Sequence, residues 1–198
     1  MSTISDLRQF NTRSLAVVAL IVVAFTGGNL WLHRGDPPVG YLRFQEFNLQ
    51  FDYPDYMSFY VEGLGTPEPS EDNGILTVFH QGPIMDQVGV IWLTQDMVSS
   101  PSEALDLIFT QASGSETVIE RGDKSTSTKK GHETVIQYFY ISERGFTIPG
   151  VIGAWGCDEN NRVVALYYLW LPDAESAGSQ AEDLQPAWEL HLNHLKCH

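Results

Sequence analysis

The sequence predicts an α+β domain with a central, largely antiparallel sheet of about six strands flanked by helices, preceded by one N-terminal transmembrane helix. Three observations lead to this prediction. An uncharged apolar run stands near the N-terminus. Several later segments alternate polar and apolar residues with the period of two that is typical of half-buried strands. Two other segments repeat apolar residues at helical spacing, one in the middle of the chain and one at its C-terminal end.

The apolar run begins at Leu15 and ends at Leu32, and it contains no charge between Arg13 and Arg34. Its eighteen residues would form a helix of roughly 27 Å at about 1.5 Å per residue, close to the roughly 30 Å hydrocarbon core of a bilayer. A cleavable signal peptide ending at Gly28 is the alternative, since small residues follow the most apolar part of the run. We expect an anchor that lies in the lipid bilayer.

The anchor divides the chain into four parts. We expect residues 1–14 to form a cytoplasmic tail, residues 15–33 a single-pass anchor in the cell membrane, residues 34–40 a linker and residues 41–198 an extracytoplasmic domain. A span this close to the N-terminus commonly exports the domain on its C-terminal side, and two cysteines suit an oxidising compartment.

Strand patterns recur through the folded part of the chain. In the first of them, apolar and aromatic residues alternate with Asn48, Gln50 and Asp52, and Pro54 ends the strand. Residues 133–141 are apolar or aromatic on both faces, which predicts a position in the middle of a covered sheet. The segments with strand character are residues 47–53, 57–61, 75–80, 88–94, 117–120, 133–141, 148–156 and 162–170.

Two helices are expected in the folded domain. The first has a clear start, because Ser100, Pro101 and Glu103 supply an N-cap, a proline in the first turn and an acid at the third position. Its buried face is predicted to consist of Ala104, Leu105, Ile108 and Phe109. The second helix is expected over residues 182–196, with a buried stripe of Leu184, Trp188, Leu192 and Leu195.

Five stretches of the sequence have a recognisable pattern: FNLQFDYPDYMSFY, SPSEALDLIF, VIQYFYI, AWGCDENNRVVALYYLW and the final LKCH. Together they resemble the PsbP-like superfamily. The resemblance implies an αβα sandwich around an antiparallel sheet, and a non-enzymatic role as an extrinsic or accessory protein of a larger complex. Members of that superfamily include a photosystem II extrinsic subunit and a nuclear transport factor that binds a small GTPase. The apparent uncleaved anchor departs from the photosynthetic type.

These observations favour a membrane-anchored accessory or assembly subunit that binds or stabilises an integral membrane-protein complex. A formal net charge of −14 repels nucleic acid, so no nucleic-acid partner is expected. No GxGxxG, phosphate-binding loop, nucleophile elbow or HExxH motif occurs in the sequence, and we therefore expect a protein that is not an enzyme.

Cys157 and Cys197 are the only two cysteines, and an even count in an exported domain favours a disulfide. On the chain-entropy model, closing a loop of about 41 residues would contribute roughly 4 kcal/mol to the free energy of unfolding. The bond requires the terminal helix and the hairpin near Cys157 to end at the same edge of the sheet.

An alternative function is an extracytoplasmic cation-binding protein. His191, His194 and His198 fall on one helical face, where imidazoles could hold Zn or Cu. Two acidic segments offer oxygen ligands of the kind that Ca²⁺ uses, although neither has EF-hand spacing. Structural or solvated roles remain the simpler interpretation for these residues, so no cofactor is expected. The acidic segments comprise Glu68, Glu71, Asp72 and Asn73, and Asp158, Glu159, Asn160 and Asn161.

Overall fold

The computed structural model describes residues 37–66, 68–80, 85–113, 118–143, 146–157, 161–171 and 180–197. The predicted cytoplasmic tail, the anchor and residues 34–36 of the linker therefore lie outside the described residues. Among the described residues, no helix has the length and apolar character needed to cross a membrane.

Ten strands and two α-helices make up the described fold. In chain order they are β1 (Tyr41–Glu46), β2 (Leu49–Pro54), β3 (Met57–Glu62), β4 (Asn73–His80), β5 (Met85–Thr94), α1 (Pro101–Ala112), β6 (Val118–Lys129), β7 (His132–Glu143), β8 (Phe146–Cys157), β9 (Arg162–Leu171), a short 3₁₀ helix (Ala181–Leu184), α2 (Gln185–Asn193) and β10 (Leu195–Lys196).

The strands form two sheets, and every strand pair that the structure describes is antiparallel. The larger sheet has seven strands in the order β3-β4-β5-β9-β8-β7-β6, and the smaller has three in the order β1-β2-β10. The expected antiparallel character is confirmed. The prediction of about six strands is wrong, because the main sheet has seven and a second sheet lies beside it.

Both faces of the seven-stranded sheet are apolar, as β9 illustrates. Val164 and Leu166 belong to one hydrophobic cluster, while Val163 and Ala165 belong to the other. Successive side chains of a strand point to opposite faces, so a strand that is apolar at consecutive positions must be covered on both sides. The sequence pattern of β9 therefore requires a packing layer on each face.

Helix α1 forms the layer on one face. Ser100 caps it, since the Ser100 hydroxyl accepts a hydrogen bond from the Glu103 backbone N–H at 3.2 Å. The Glu103 carboxylate in turn accepts from the backbone N–H of Ser99 at 2.7 Å. These contacts satisfy N–H groups at and just before the first turn. The residues that α1 buries are the predicted Ala104, Leu105, Ile108 and Phe109.

The other face is covered by the three-stranded sheet together with α2, which corrects the predicted sandwich of helices on both sides. Phe51 of β2 and Trp188 of α2 are both fully buried in the cluster on this face. The Trp188 indole N–H donates to the Leu166 carbonyl at 2.8 Å, which fixes α2 against β9. A small sheet can replace a helix here because it also presents an apolar face.

Three local features explain where the structure departs from the predicted elements. Phe47 and Asn48 have φ angles of 53° and 55°, so a two-residue turn separates β1 from β2 within the predicted opening strand. Strand β6 continues to Lys129 although its sequence is polar, because an edge strand can face solvent. The terminal helix stops at Asn193, and the chain then pairs with β2 as β10.

Candidate functional site

The two cysteines lie together at the edge where β8 ends and β10 returns to β2. Both side chains are buried, and the Cys157 thiol donates a hydrogen bond to the Cys197 backbone carbonyl. The structure contains them as two thiols and not as a disulfide. The predicted bond is therefore not formed in this structure, in which the Cys157 thiol contacts both the carbonyl and the thiol of Cys197.

The environment of Cys197 does not favour a reactive thiolate. Its contact with the Cys157 thiol and its burial both raise the pKa of the Cys197 thiol. Reactive cysteines require a lowered pKa, because the thiolate is the nucleophile and the metal ligand. This pair is therefore suited to packing in its thiol form.

The predicted histidine cluster is split between different environments. His191 is buried in the core, with its ring centroid 5.5 Å from that of Tyr168 and 6.4 Å from that of Phe51. Burial, with a smaller contribution from His194, lowers the pKa of His191 to about 4. His194 stacks on Tyr41 at 4.5 Å between ring centroids. His198 lies outside the described residues.

In the described ranges, no group of three or more His, Cys, Asp or Glu side chains is arranged to hold a metal ion. The first acidic loop is organised by its own hydroxyl groups instead. The Ser70 hydroxyl accepts from the backbone N–H groups of Asp72 and Asn73 at 3.2 and 3.3 Å. Of the second acidic segment only Asn161 is described, and it occupies a turn with φ 49°.

A small basic pocket lies beside the cysteines. Lys129 forms an ion pair with Glu189 at 2.6 Å. Lys130 donates to the carbonyls of Leu192 and Leu195 at 3.3 and 2.8 Å, and burial lowers its pKa. Both lysines therefore have internal partners, and they tie the β6–β7 turn to the end of α2.

An apolar cavity lies between the last turns of α1 and the seven-stranded sheet. Its volume is about 60 Å³, and it opens to solvent at the rim. Ligand sites in proteins are commonly apolar clefts with a few polar groups. The floor consists of buried residues, namely Ile75, Ile91, Ile108, Phe109, Phe139, Ile141, Ile152, Tyr167 and Leu169.

The rim of this cavity carries its polar side chains. Glu62, at the end of β3, and Gln111, near the end of α1, are both only partly buried. Burial raises the pKa of the Glu62 carboxyl group. No ion pair of the described residues includes Glu62. A ligand in the cavity would therefore meet a hydrogen-bond acceptor at the entrance.

A buried hydrogen-bond network supports the floor. The Tyr167 hydroxyl lies 3.1 Å from the Thr77 hydroxyl and accepts a hydrogen bond from the Gln87 amide at 2.7 Å. Burial raises the pKa of Tyr167 well above its usual value, so the phenol stays neutral. Gly89 makes room for this ring, because a Cβ atom at Gly89 would overlap it. These hydrogen bonds hold the Tyr167 ring in one position in the floor of the cavity.

Sequence reasoning did not find this cavity. Its residues lie on eight different elements and one connecting segment, and no spacing along the chain brings them together. One local signal existed: Ala112 follows the large side chains of the buried helix stripe, and a small residue there leaves space against the sheet.

The comparisons with known proteins support the fold. No protein-family model and no curated protein sequence matches this chain. The solution structure of cyanobacterial PsbP (CyanoP) from Synechocystis sp. PCC 6803 matches with a TM-score of 0.54 and 9% identity, covering 86% of this chain and 100% of that one. This likeness shows a PsbP-like fold.

Two further structures match at lower TM-scores. PA94 from Pseudomonas aeruginosa is 12% identical with a TM-score of 0.41, covering 77% of this chain and 93% of that one. LpqN from Mycobacterium tuberculosis, which is involved in cell envelope biogenesis, is 16% identical with a TM-score of 0.36, covering 82% of this chain and 84% of that one.

Proposed function

We propose that this PsbP-like domain is an extracytoplasmic, membrane-anchored accessory domain that binds and stabilises an integral membrane-protein complex through its folded surface. The proposal assigns no reaction to the domain. It combines the PsbP-like fold with the uncharged apolar run that ends at Leu32.

One observation carries the proposal: the first strand begins at Tyr41, directly after the linker of residues 34–40. Seven residues reach at most about 25 Å even when fully extended. A domain tethered in this way stays close to the bilayer, where its partners would be the extramembrane parts of membrane proteins.

The end of the domain nearest to the linker exposes apolar and aromatic side chains. Val39 is fully exposed, and Tyr56, in the turn between β2 and β3, is 61% exposed. The backbone N–H of Asp55 donates to the Gly40 carbonyl at 3.0 Å, so this turn lies beside the linker. We name Val39 and Tyr56 the linker-proximal patch and propose that it contacts the partner, because exposed aromatic residues are enriched in interfaces.

Affinity capture of the full chain from detergent-solubilised membranes tests this proposal. We expect one membrane-protein complex to co-purify, with its subunits identified by mass spectrometry. The double variant Val39→Asp and Tyr56→Asp should reduce recovery of that complex at least about fivefold, as expected for loss of about 1 kcal/mol of interface energy.

Leu190→Asp is the matched control, because Leu190 is also exposed and apolar, 53% exposed, but lies on α2. Equal recovery with the wild type and the double variant, or equal loss with the control, would contradict the proposed patch. A chain that begins after Gly28 when purified from its host would contradict the anchor.

The extracytoplasmic location adds an expectation for the cysteines. In an oxidising compartment, a rotation of the Cys157 side chain from the Cys197 carbonyl toward the Cys197 sulfur would permit the disulfide. Intact-mass analysis of protein isolated without reductant, alkylated after unfolding, measures this directly. Two alkylated thiols would place the domain in a reducing environment and count against the proposed location.

A further inference from the structure

The apolar cavity under α1 has a shape that the packing of the helix explains. The helix buries large side chains at Leu105, Ile108 and Phe109, but its last residue, Ala112, has only a methyl group. The sheet continues beneath that last turn, so a space remains between helix and sheet. Unfilled apolar space lowers the free energy of unfolding, because the atoms that line it lack packing partners on one side. An occupant that fills it would recover part of this free energy.

The lining restricts what such an occupant can be. The floor is almost entirely aliphatic and aromatic, with the Tyr167 hydroxyl already engaged by Thr77 and Gln87. A polar group that entered the floor would lose its water without gaining partners. The occupant must therefore be apolar along the part that enters.

The rim restricts the other end of the occupant. The Glu62 carboxylate and the Gln111 amide carbonyl are hydrogen-bond acceptors at the entrance. An anionic head group would be repelled by Glu62 and by a chain whose formal net charge is −14. A head group that donates hydrogen bonds is favoured by the same groups, and a cationic one forms the stronger bond.

We propose that this cavity binds the short aliphatic chain of an amphiphile whose head group donates hydrogen bonds, a hydroxyl or a primary ammonium, to Glu62 and Gln111. The cavity is a binding site for a small molecule, separate from the linker-proximal patch. It depends on the floor and rim residues alone and requires neither the anchor nor a protein partner.

Photo-crosslinking to the full chain in lipid nanodiscs tests the site. Three hexyl probes carry a diazirine in the chain and differ only in the head group: ammonium, hydroxyl or carboxylate. We expect adducts on the peptides that contain Phe109, Phe139 and Ile152, with the ammonium probe exceeding the carboxylate probe about tenfold, as one charge-assisted hydrogen bond permits.

Single-residue variants distinguish probe binding in the cavity from probe binding on the surface. Ala112→Trp fills the space and should reduce cavity adducts about tenfold. Thr110→Trp is the matched control, because Thr110 is exposed on the outer face of the same helix, and its adducts should equal those of the wild type. Glu62→Gln should remove most of the preference for ammonium over carboxylate while the hydroxyl probe still reacts.

A second measurement covers the case in which Ala112→Trp does not fold. Excess unlabelled hexan-1-ol should reduce the wild-type cavity adducts at least about fivefold, since one site accepts one chain. Adducts spread evenly over the surface, no competition by hexanol, or equal loss with Thr110→Trp would overturn the proposal. No protein partner takes part in this experiment, so its failure would not contradict the proposed accessory function. Failure of the affinity capture would likewise not contradict the proposed binding site in the cavity.

Discussion

At the scale of single residues, the buried imidazole of His191 links stability to pH. Its ring packs between Phe51 and Tyr168, and its Nδ1 atom has no hydrogen-bond partner among the described residues. The pKa of His191 in the folded state is about 4, below the usual value of 6.5, so the unfolded chain binds the proton first as pH falls. The contribution of neutral His191 to the free energy of unfolding is therefore fully present above about pH 6.5, and it is lost as the pH falls from 6.5 to 4.

The prediction concerns His191→Phe, which keeps an aromatic ring in the same space. Between pH 7 and pH 5 the free energy of unfolding of the wild type should fall by about 2 kcal/mol more than that of the variant. Urea unfolding at both pH values measures the difference. The control, His132→Phe, alters a partly exposed ring and should retain the wild-type loss. An equal loss in His191→Phe and in the wild type would show that another group causes the acid sensitivity.

The second residue-scale prediction concerns Gly89, which lies opposite Tyr167 in the pairing of β5 with β9. A methyl group at Gly89 would overlap the Tyr167 ring, which two hydrogen bonds hold in place. Gly89→Ala should therefore lower the free energy of unfolding by about 2 kcal/mol through overpacking. Gly122→Ala is the control, because its added Cβ would meet only the Tyr138 carbonyl, at 3.4 Å. Thermal unfolding of both variants measures the two losses, and equal losses would contradict the predicted overlap with the Tyr167 ring.

At the scale of elements, the start of α1 rests on a small number of side-chain contacts. The Ser100 hydroxyl is the acceptor for the Glu103 N–H, and Ser100→Ala should lower the free energy of unfolding by about 1 kcal/mol. Ser100→Asp keeps an acceptor at the same position and should remain close to the wild type. Chemical denaturation compares the two, and equal losses would mean that the cap contributes nothing.

The sequence predicted best the elements whose signal is local. The cap at Ser100 and the buried stripe from Ala104 to Phe109 lie within a few turns of one helix, so both were readable from spacing. Strand β10 was not, because the residues around Lys196 pair with β2 about 145 positions earlier, near Gln50, and helical spacing gave no sign of that partner. Tertiary pairing overrode the local pattern at this end of the chain.

The candidate sites also differ in whether their signal is local in the sequence or depends on tertiary packing. The cysteine pair was recognised because two isolated cysteines are visible in any sequence, but the direction of the Cys157 thiol depends on the final packing. The apolar cavity depends on which of several large side chains fails to fill a space. Residue periodicity indicates which side chains are buried, and it contains no information about the gaps between them.

At the scale of the whole molecule, excess negative charge opposes the compact state. The formal net charge is −14, and the chain has only eleven lysine and arginine residues against twenty-five acidic ones. Salt screens repulsion between exposed charges. Raising sodium chloride from about 0.02 to 0.3 M should increase the midpoint of thermal unfolding by a few degrees.

A charge-reduced variant tests the cause of this salt effect. Glu46→Gln, Asp72→Asn and Glu133→Gln together remove three exposed negative charges, and the combined variant should show a smaller response to salt than the wild type. An unchanged response would show that the stabilisation by salt does not come from repulsion among acidic side chains.

The way the chain enters the fold has a mechanical consequence. Strand β1 lies beside β2, and the carbonyl of Gly40, the last linker residue, accepts a hydrogen bond from the Asp55 backbone N–H. A pulling force on the residues before Tyr41 would act first on that hydrogen bond and then on each residue pair of the β1–β2 hairpin in turn. Arg43 lies two residues after Tyr41, and its guanidinium donates two hydrogen bonds to the Asp52 carboxylate at 2.6 and 3.0 Å. The Arg43–Asp52 ion pair would therefore resist separation of β1 from β2 before the force reaches the seven-stranded sheet.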